Sequence, residues 1–421
     1  MSRGARLLQF AAPAISLALM EILQAVSKLP FTAQQRKILL ALAATVGLRM
    51  LGLFLVLPVF TLYGLQFTSS RFLVGFAFGC YGLTMAALQI PFGRLSDRIG
   101  RRKVLILGMA LFSAGSFLCA IPHWFPQPLP IAVLIFGRLV QGGGAIISVA
   151  FATVADNIEA ERRSTAMALL GIPIGGAFVV GVIGGPILAG MFGTAFLFWL
   201  TGFLGLATDL LLIRYLPELP ASSAAPAPLS DVLRIRPLLA FAAGGFLMNF
   251  FMASFFFHFP LIVTGQHHLK MTQYYTILLP MMLVSAVSMF AFSQGADRGW
   301  GRPLAALAFL IFLPSVVILF EPQLVGFDPH RLTGVVIAGT LFYIGFTGLE
   351  PVLPSLVSRH SPENTYGTAL GFYNSVQFLG SPAGSSISGR LSDLSMTHAT
   401  LAVLLAASVM GFLLMILKPN Q

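Results

Sequence analysis

Glu350 is the one acidic residue well inside a long apolar stretch of this sequence, set in Leu349-Glu350-Pro351-Val352-Leu353-Pro354. A carboxyl in hydrocarbon surroundings is costly enough to be a functional candidate, and the chemistry open to it is the loading and release of a proton. The two prolines each remove a backbone donor, which loosens the local helix and admits water to the acid. Arg49 and Arg138 lie inside other apolar stretches. Each costs about 2.5–3.5 kcal/mol to insert, so each requires a partner or a cavity. Together Glu350, Arg49 and Arg138 are proton-coupling candidates, with Glu350 as carrier and an arginine modulating it. Two plainer readings compete: a Glu–Arg pair that never titrates, and an Arg138 that bonds only to backbone carbonyls. Gln89, Gln141, Asn249, Tyr343, Asn374 and Gln377 also fall in apolar stretches and need polar partners there, which makes them cavity candidates. Asp209 reads as interfacial, His258 as a packed or interfacial histidine, and Cys80 and Cys119 as packing residues. The sequence has no metal-ligand spacing, no phosphate-binding Gly-rich loop and no nucleophile–base constellation. No metal, cofactor or enzymatic chemistry is therefore expected.

The elements that carry these residues follow from composition. Hydrophobic residues make up 57% of 421 and charged residues 9%, where a soluble domain carries about a quarter charged. With so few charges no water-facing surface can be assembled, so the solvent is lipid. Backbone polar groups then need internal partners, which leaves helices or a closed barrel. The apolar runs have helix length and lack strand alternation. Twelve spans are expected, at about 38–63, 71–92, 104–121, 131–154, 165–190, 194–213, 238–263, 273–294, 304–320, 332–357, 367–389 and 399–417. The net charge of +11 would suit nucleic acid, but the charges sit in short loops between apolar runs, so the partner is the bilayer and not nucleic acid. With the N-terminus inside, nineteen of 25 Lys and Arg residues face the cytoplasm and four face out, leaving Arg49 and Arg138 in the spans. The rule that positive loops stay inside then puts both termini in the cytoplasm.

Four segments result. Residues 1–37 form a cytoplasmic or interfacial extension, since an extra span there would place Arg3 and Arg6 outside. Residues 38–214 form one six-helix half, 215–237 a Pro/Ala-rich cytoplasmic linker with no core of its own, and 238–421 the second half. The halves repeat. Gly93-Arg94-Leu95-Ser96-Asp97-Arg98-Ile99-Gly100-Arg101-Arg102-Lys103 follows the second span, and Gly295-Ala296-Asp297-Arg298 follows the eighth, with the Asp-Arg pairs 200 residues apart. Ser164-Thr165-Ala166 and Gly367-Thr368-Ala369 echo each other at the starts of the fifth and eleventh spans. Parallel halves bind substrate between them near the midplane. In the first loop Gly93 and Gly100 supply conformations other residues resist. Asp97 is placed to meet a helix N-terminus or an arginine, and the basic residues hold the loop at an anionic leaflet. Anchoring alone and conformational switching both remain open from spacing.

This loop matches the major facilitator superfamily signature G-x-x-x-D-R-x-G-R-R/K position for position. Arg138-Leu139-Val140-Gln141-Gly142 resembles the family's R-x-x-Q-G. Gly181-Val182-Ile183-Gly184-Gly185-Pro186-Ile187-Leu188-Ala189-Gly190 resembles the antiporter motif G-x-x-x-G-P-x-x-G-G, with Ala189 in place of a glycine. The resemblance is to the drug:proton antiporter branch, and over residues 45–415 most of all to YajR-type inner-membrane transporters. The residues carrying that last likeness are Arg49 to Pro58, Gln89 to Gly93 and Leu349 to Leu356. It implies an all-α membrane protein of two six-helix halves with pseudo-twofold symmetry, and a switching role for Gly93, Asp97, Arg98, Gly100, Arg101, Arg102, Asp297 and Arg298. It also implies that Gly181, Gly185, Pro186 and Gly190 mark antiport. Many drug antiporters place an aspartate in the first span; this sequence has none there. The expected function is proton-coupled export of a small, drug-like amphipathic molecule from a bacterial cytoplasmic membrane, by a monomer whose partners are substrate, protons and lipid. A proton symporter, a facilitator and a membrane sensor that binds without flux are the alternatives.

Overall fold

The computed structural model describes residues 31–218, 228–362 and 365–417. The first span consists of α1 (Ala33–Val56) and α2 (Phe60–Gly64), separated at Pro58. The second is α3 (Arg71–Gly79) with α4 (Tyr81–Ile99), and the third is α5 (Arg101–Ala120). The fourth is α6 (Leu129–Gln141) with α7 (Ile147–Asn157), followed by α8 (Ala160–Phe192) and α9 (Thr194–Tyr215). After a short α10 (Leu229–Leu233) come α11 (Arg236–Leu261), α12 (Tyr275–Gly295), α13 (Gly301–Phe320), α14 (Leu332–His360), α15 (Tyr366–Asp393) and α16 (Thr397–Ile416).

Nine stretches among the described residues are long and apolar enough to cross a membrane. One of them, Met271–Phe320, has 50 residues. At about 1.5 Å per residue it would run ~75 Å, more than twice a ~30 Å hydrocarbon core, so it is two spans. The division falls at Gly299, whose φ of 92° no helical residue holds. The fourth span is broken into two shorter helices around Gly142–Gly144, and the eleventh is diluted by glycine and serine. These raise the number of spans to twelve. The first helix starts at Ala33, five residues before the expected 38, because Thr32 and Gln35 form a capping box. Residues 1–30 and 219–227, which hold most of the expected extension and the middle of the expected linker, lie outside the described residues. Within the expected linker, α10 buries Val232 against α11 and α15.

Each half repeats the same neighbours. The first span packs on the fifth and sixth, the second on the fourth, and the third on the fourth and sixth. In the other half the seventh packs on the eleventh and twelfth, the eighth on the tenth, and the ninth on the tenth and twelfth. The repeat extends to single bonds. Arg102 donates to the carbonyl of Ile213, in the last turn of the sixth span. Arg302, 200 positions on, donates to the carbonyls of Met415 and Leu417 at 3.1 and 2.9 Å, where the twelfth span ends. A cation on the unpaired carbonyls of a helix C-terminus is favoured on both charge and hydrogen-bonding grounds.

The loops containing Arg101 and Arg302 define a basic face. Away from it the halves close tightly. A Cβ on Gly75 would lie 2.1 Å from the Ser385 carbonyl, and one on Gly79 2.4 Å from Pro382. There the Asp393 carboxylate, at the end of α15, accepts bonds from the amides of Arg71 (2.7 Å) and Phe72 (2.9 Å), capping α3 in the other half. Towards the basic face the same two spans part: a Cβ on Gly371 would find its nearest neighbour, Ile90, at 4.0 Å, and one on Gly367 finds nothing within 4 Å. The bundle is therefore open on its basic face and shut on the other.

Candidate functional site

In α14, Tyr343, Phe346 and Glu350 recur at helical spacing and so share one face. Tyr343 and Phe346 meet Phe178 of α8 at ring separations of 6.1 and 5.7 Å, forming an aromatic plug across the two halves. Glu350 lies one turn beyond Phe346 towards the basic face. Its side chain is exposed although it sits deep in the bundle, in the neighbourhood of Tyr373 of α15. It forms no ion pair or hydrogen bond with the described residues. In α8, Gly171 and Gly175 share the face of Phe178, and a Cβ on either would meet nothing within 4 Å. An acid on one wall and bare glycine on the opposite wall therefore border the opening, with the plug as its floor. α14 remains helical through Pro351 and Pro354. Pro354 has no N–H to give the Glu350 carbonyl, which adds an acceptor beside the carboxyl.

The two arginines stand in the other half, and neither pairs with Glu350 in this conformation. Arg138 donates to the carbonyls of Phe78 (2.9 Å) and Ala77 (3.4 Å), at the end of α3, and to the side chain of Gln141. Its guanidinium lies 4.3 Å from the centre of the Tyr81 ring. The break between α3 and α4 leaves helix-terminal carbonyls that an arginine can satisfy. Arg49, 1% exposed, has the sulfur of Met85 at 3.3 Å, that of Met50 at 3.8 Å and the Phe112 ring at 5.8 Å. Its Nε has no acceptor among the described residues.

The expected cavity residues divide. Gln141 is buried and bonded between Arg138 and Ser116, and Asn249 donates to the Gln377 carbonyl, tying the seventh span to the eleventh. Tyr343 is buried in the plug with an unpartnered hydroxyl, and the Gln89 amide is buried with neither end bonded to a described residue. Asn374 and Gln377 are half-buried. His258 is packed between Phe257 and Phe320, as expected. Asp209, near the end of the sixth span, is buried against its neighbours with one carboxylate oxygen unpartnered among the described residues.

Of the loop residues, Asp97 binds Arg101 at 2.6 Å, and Arg101 bridges to Asp156 at 2.8 Å. Gly100 takes a φ of 101°, as expected of the turn, whereas Gly93 is an ordinary helical residue within α4 and uncrowded, because the helix runs on to Ile99; Arg98 is exposed. In the second half Asp297 pairs with Arg359 at 3.1 Å, while Arg298 is exposed beside it. In the glycine-rich helix, Cβ atoms on Gly181 and Gly185 would lie 2.6 Å from Phe54 and 1.9 Å from the Leu55 carbonyl, so these glycines, in the turn before Pro186, let α8 lie on α1. Gly190 abuts Thr272 of the other half. Phe178, Phe346, Tyr373 and Asp393 were not singled out from sequence. Aromatics abound in this chain, and an acid at a helix end resembles any loop charge. The small-residue spacing Gly75, Gly79, Gly82 was a legible signal for Asp393's neighbourhood.

Twelve spans in two like halves, with a cleft between them open on one face, define a secondary transporter. The chain belongs to the Major Facilitator Superfamily, whose family model matches residues 42–385. It is 32% identical to the inner membrane transport protein YajR of Escherichia coli K12 over 86% of this chain and 79% of that one. It is 23% identical to multidrug resistance protein 1 of Bacillus subtilis, over 85% and 92% of the two chains. Among solved structures, a bacterial homolog of the human lysosomal transporter Spinster in its inward-facing, occupied conformation is similar, with a TM-score of 0.73 and 16% identity, covering 91% of this chain and 97% of that one.

Proposed function

We propose that this transporter exports a small amphipathic molecule in exchange for protons, with Glu350 as the proton carrier. The observation that carries the reading is the position of Glu350: exposed, unpartnered among the described residues, and next to the aromatic plug. A carrier must meet solvent from the open face, and it must not be locked into an ion pair. The aromatic floor offers rings to an apolar or cationic substrate. Similarity to a multidrug resistance protein supports export of such molecules. In this reading the basic face is cytoplasmic, both termini lie there, the membrane is a bacterial inner membrane, and the protein works as a monomer. The bias of Lys and Arg supports that orientation.

The test is proton movement in proteoliposomes, comparing wild type with Glu350→Gln across a panel of drugs and metabolites. Substrate-dependent proton flux in the wild type that disappears in the variant is the expected result. Proton flux retained by the variant would remove Glu350 from the mechanism, and substrate flux without proton flux in the wild type would make the protein a facilitator.

A further inference from the structure

A second cavity lies away from the cleft, wholly within the C-terminal half. It is an open groove with a volume of about 800 Å³, bordered by the ends of α13, α14 and α16 with the turn before α13. That is within the range of about 300–1,000 Å³ typical of small-molecule sites. Its mouth, on the basic face, carries Arg302, Arg359 and His360. Its apolar walls are Leu307, Leu310, Phe412 and Ile416. Leu307, Leu310 and Ile416 are exposed on the bundle's outer surface, so the apolar part opens sideways to hydrocarbon. Arg302 uses two donors to cap α16 and keeps others free. Arg359 spends one nitrogen on Asp297 at 3.1 Å and is 42% exposed.

We propose that this cavity binds an anionic phospholipid of the leaflet at the basic face, its phosphodiester between Arg302 and Arg359 and an acyl chain along Leu307 and Leu310. A free phosphate would satisfy the mouth and leave the apolar walls empty, while an uncharged lipid would leave two guanidinium groups without a counter-ion beyond Asp297. A basic pocket between spans at the headgroup level suits a molecule that is anionic at one end and apolar at the other. The site is independent of the proton chemistry at Glu350.

The experiment uses the full-length protein purified in detergent, with lipid retention read by native mass spectrometry and protection read by thermal unfolding. The probes are phosphatidylglycerol, phosphatidylcholine and glycerol phosphate. Wild type is expected to retain phosphatidylglycerol at least about five-fold better than phosphatidylcholine, the discrimination that one basic side chain near a membrane surface gives. Arg359→Gln should lower that preference about five-fold. Leu310→Trp, which fills the apolar slot and keeps every charge, should weaken phosphatidylglycerol retention independently. Arg302 is left intact because it caps a helix. Equal retention of the two lipids overturns the proposal, as does wild-type retention in both folded variants. Protection by glycerol phosphate equal to that by phosphatidylglycerol would also overturn it, because the site would then take a soluble anion.

Discussion

Arg138 and Arg49 show two ways of keeping a cation inside a membrane protein. Arg138 is bonded to carbonyls, an amide and an aromatic face, so the plain structural reading accounts for its geometry without any role in coupling. Arg49 has sulfurs and a ring near it, and its Nε has no acceptor among the described residues. A buried charge without a good acceptor is destabilising. Arg49→Met is therefore expected to raise stability by about 1–4 kcal/mol, the gain seen when buried charges give way to apolar residues, and a detergent thermal melt checks this. A more stable variant that no longer transports would mark Arg49 as a working charge, whereas a less stable one would show that it holds the fold. Asp393 belongs to the same scale. Its bonds to α3 cross the two halves on the shut face, and opening of that face would have to break them. A carboxylate at a helix N-terminus contributes about 0.3–2 kcal/mol. Asp393→Asn should therefore increase the population with an open far face by up to about thirty-fold, read as longer spin-label distances across that face; an unchanged distance distribution would remove Asp393 from the gate. The arginines and Glu350 were legible because charge is conspicuous in an apolar sequence. The bonding of Arg138 was not, since its acceptors are backbone atoms exposed by a helix break that no residue type announces.

At the scale of elements, α8 presents glycines on two surfaces with opposite demands. Gly185 has the Leu55 carbonyl where its Cβ would go, while Gly175 has open space. Gly185→Ala must push α8 off α1 and should cost about 1–3 kcal/mol, an overpacking penalty. Gly175→Ala should gain about 0.5–1 kcal/mol of helix propensity in this conformation. Thermal melts of the two variants give opposite signs if the contact face is as described; equal destabilisation would mean that Gly175 also packs. Most spans could be read from length and apolarity, and ten of the twelve begin within three residues of their expected starts. The departures are physical. The first helix starts early because of a polar capping box, and three spans break where glycine, proline or a competing side chain takes over the backbone bonds. Hydropathy averages over such breaks and cannot register them.

For the whole molecule, the repeat was legible from two matching loops, and the neighbours of each span bear it out. Which face is open was not, because the same residues serve every state of the cycle. The loop residue Asp97 is held by Arg101 within its own half. If it changes partner as the cleft closes, Asp97→Asn should slow transport while leaving membrane insertion intact, and unaltered flux would reduce the loop to an anchor. A second check is a bifunctional thiol reagent applied to Ser70→Cys with Ser392→Cys, residues flanking the Asp393 contact. It should stop most flux until the link is cut, since the native Cys80 and Cys119 are buried. Transport continuing in the linked protein would rule out opening of that face.

α15 has a further consequence, for the order in which the protein is made. Its glycines press against the carbonyls of Phe246 and Phe250 on one neighbour and that of Arg71 on another. Close packing requires these small residues, yet they leave the helix too weakly apolar to be recognised alone as a membrane span. During synthesis it would gain little from entering lipid by itself. Its entry must be helped by the strongly apolar α16 that follows it and by a groove that α3 and α11 have already formed. The last pair of helices is then inserted as a hairpin into a nearly complete bundle, and a chain ending at Ser395 and released from the ribosome should leave residues 366–393 accessible to protease.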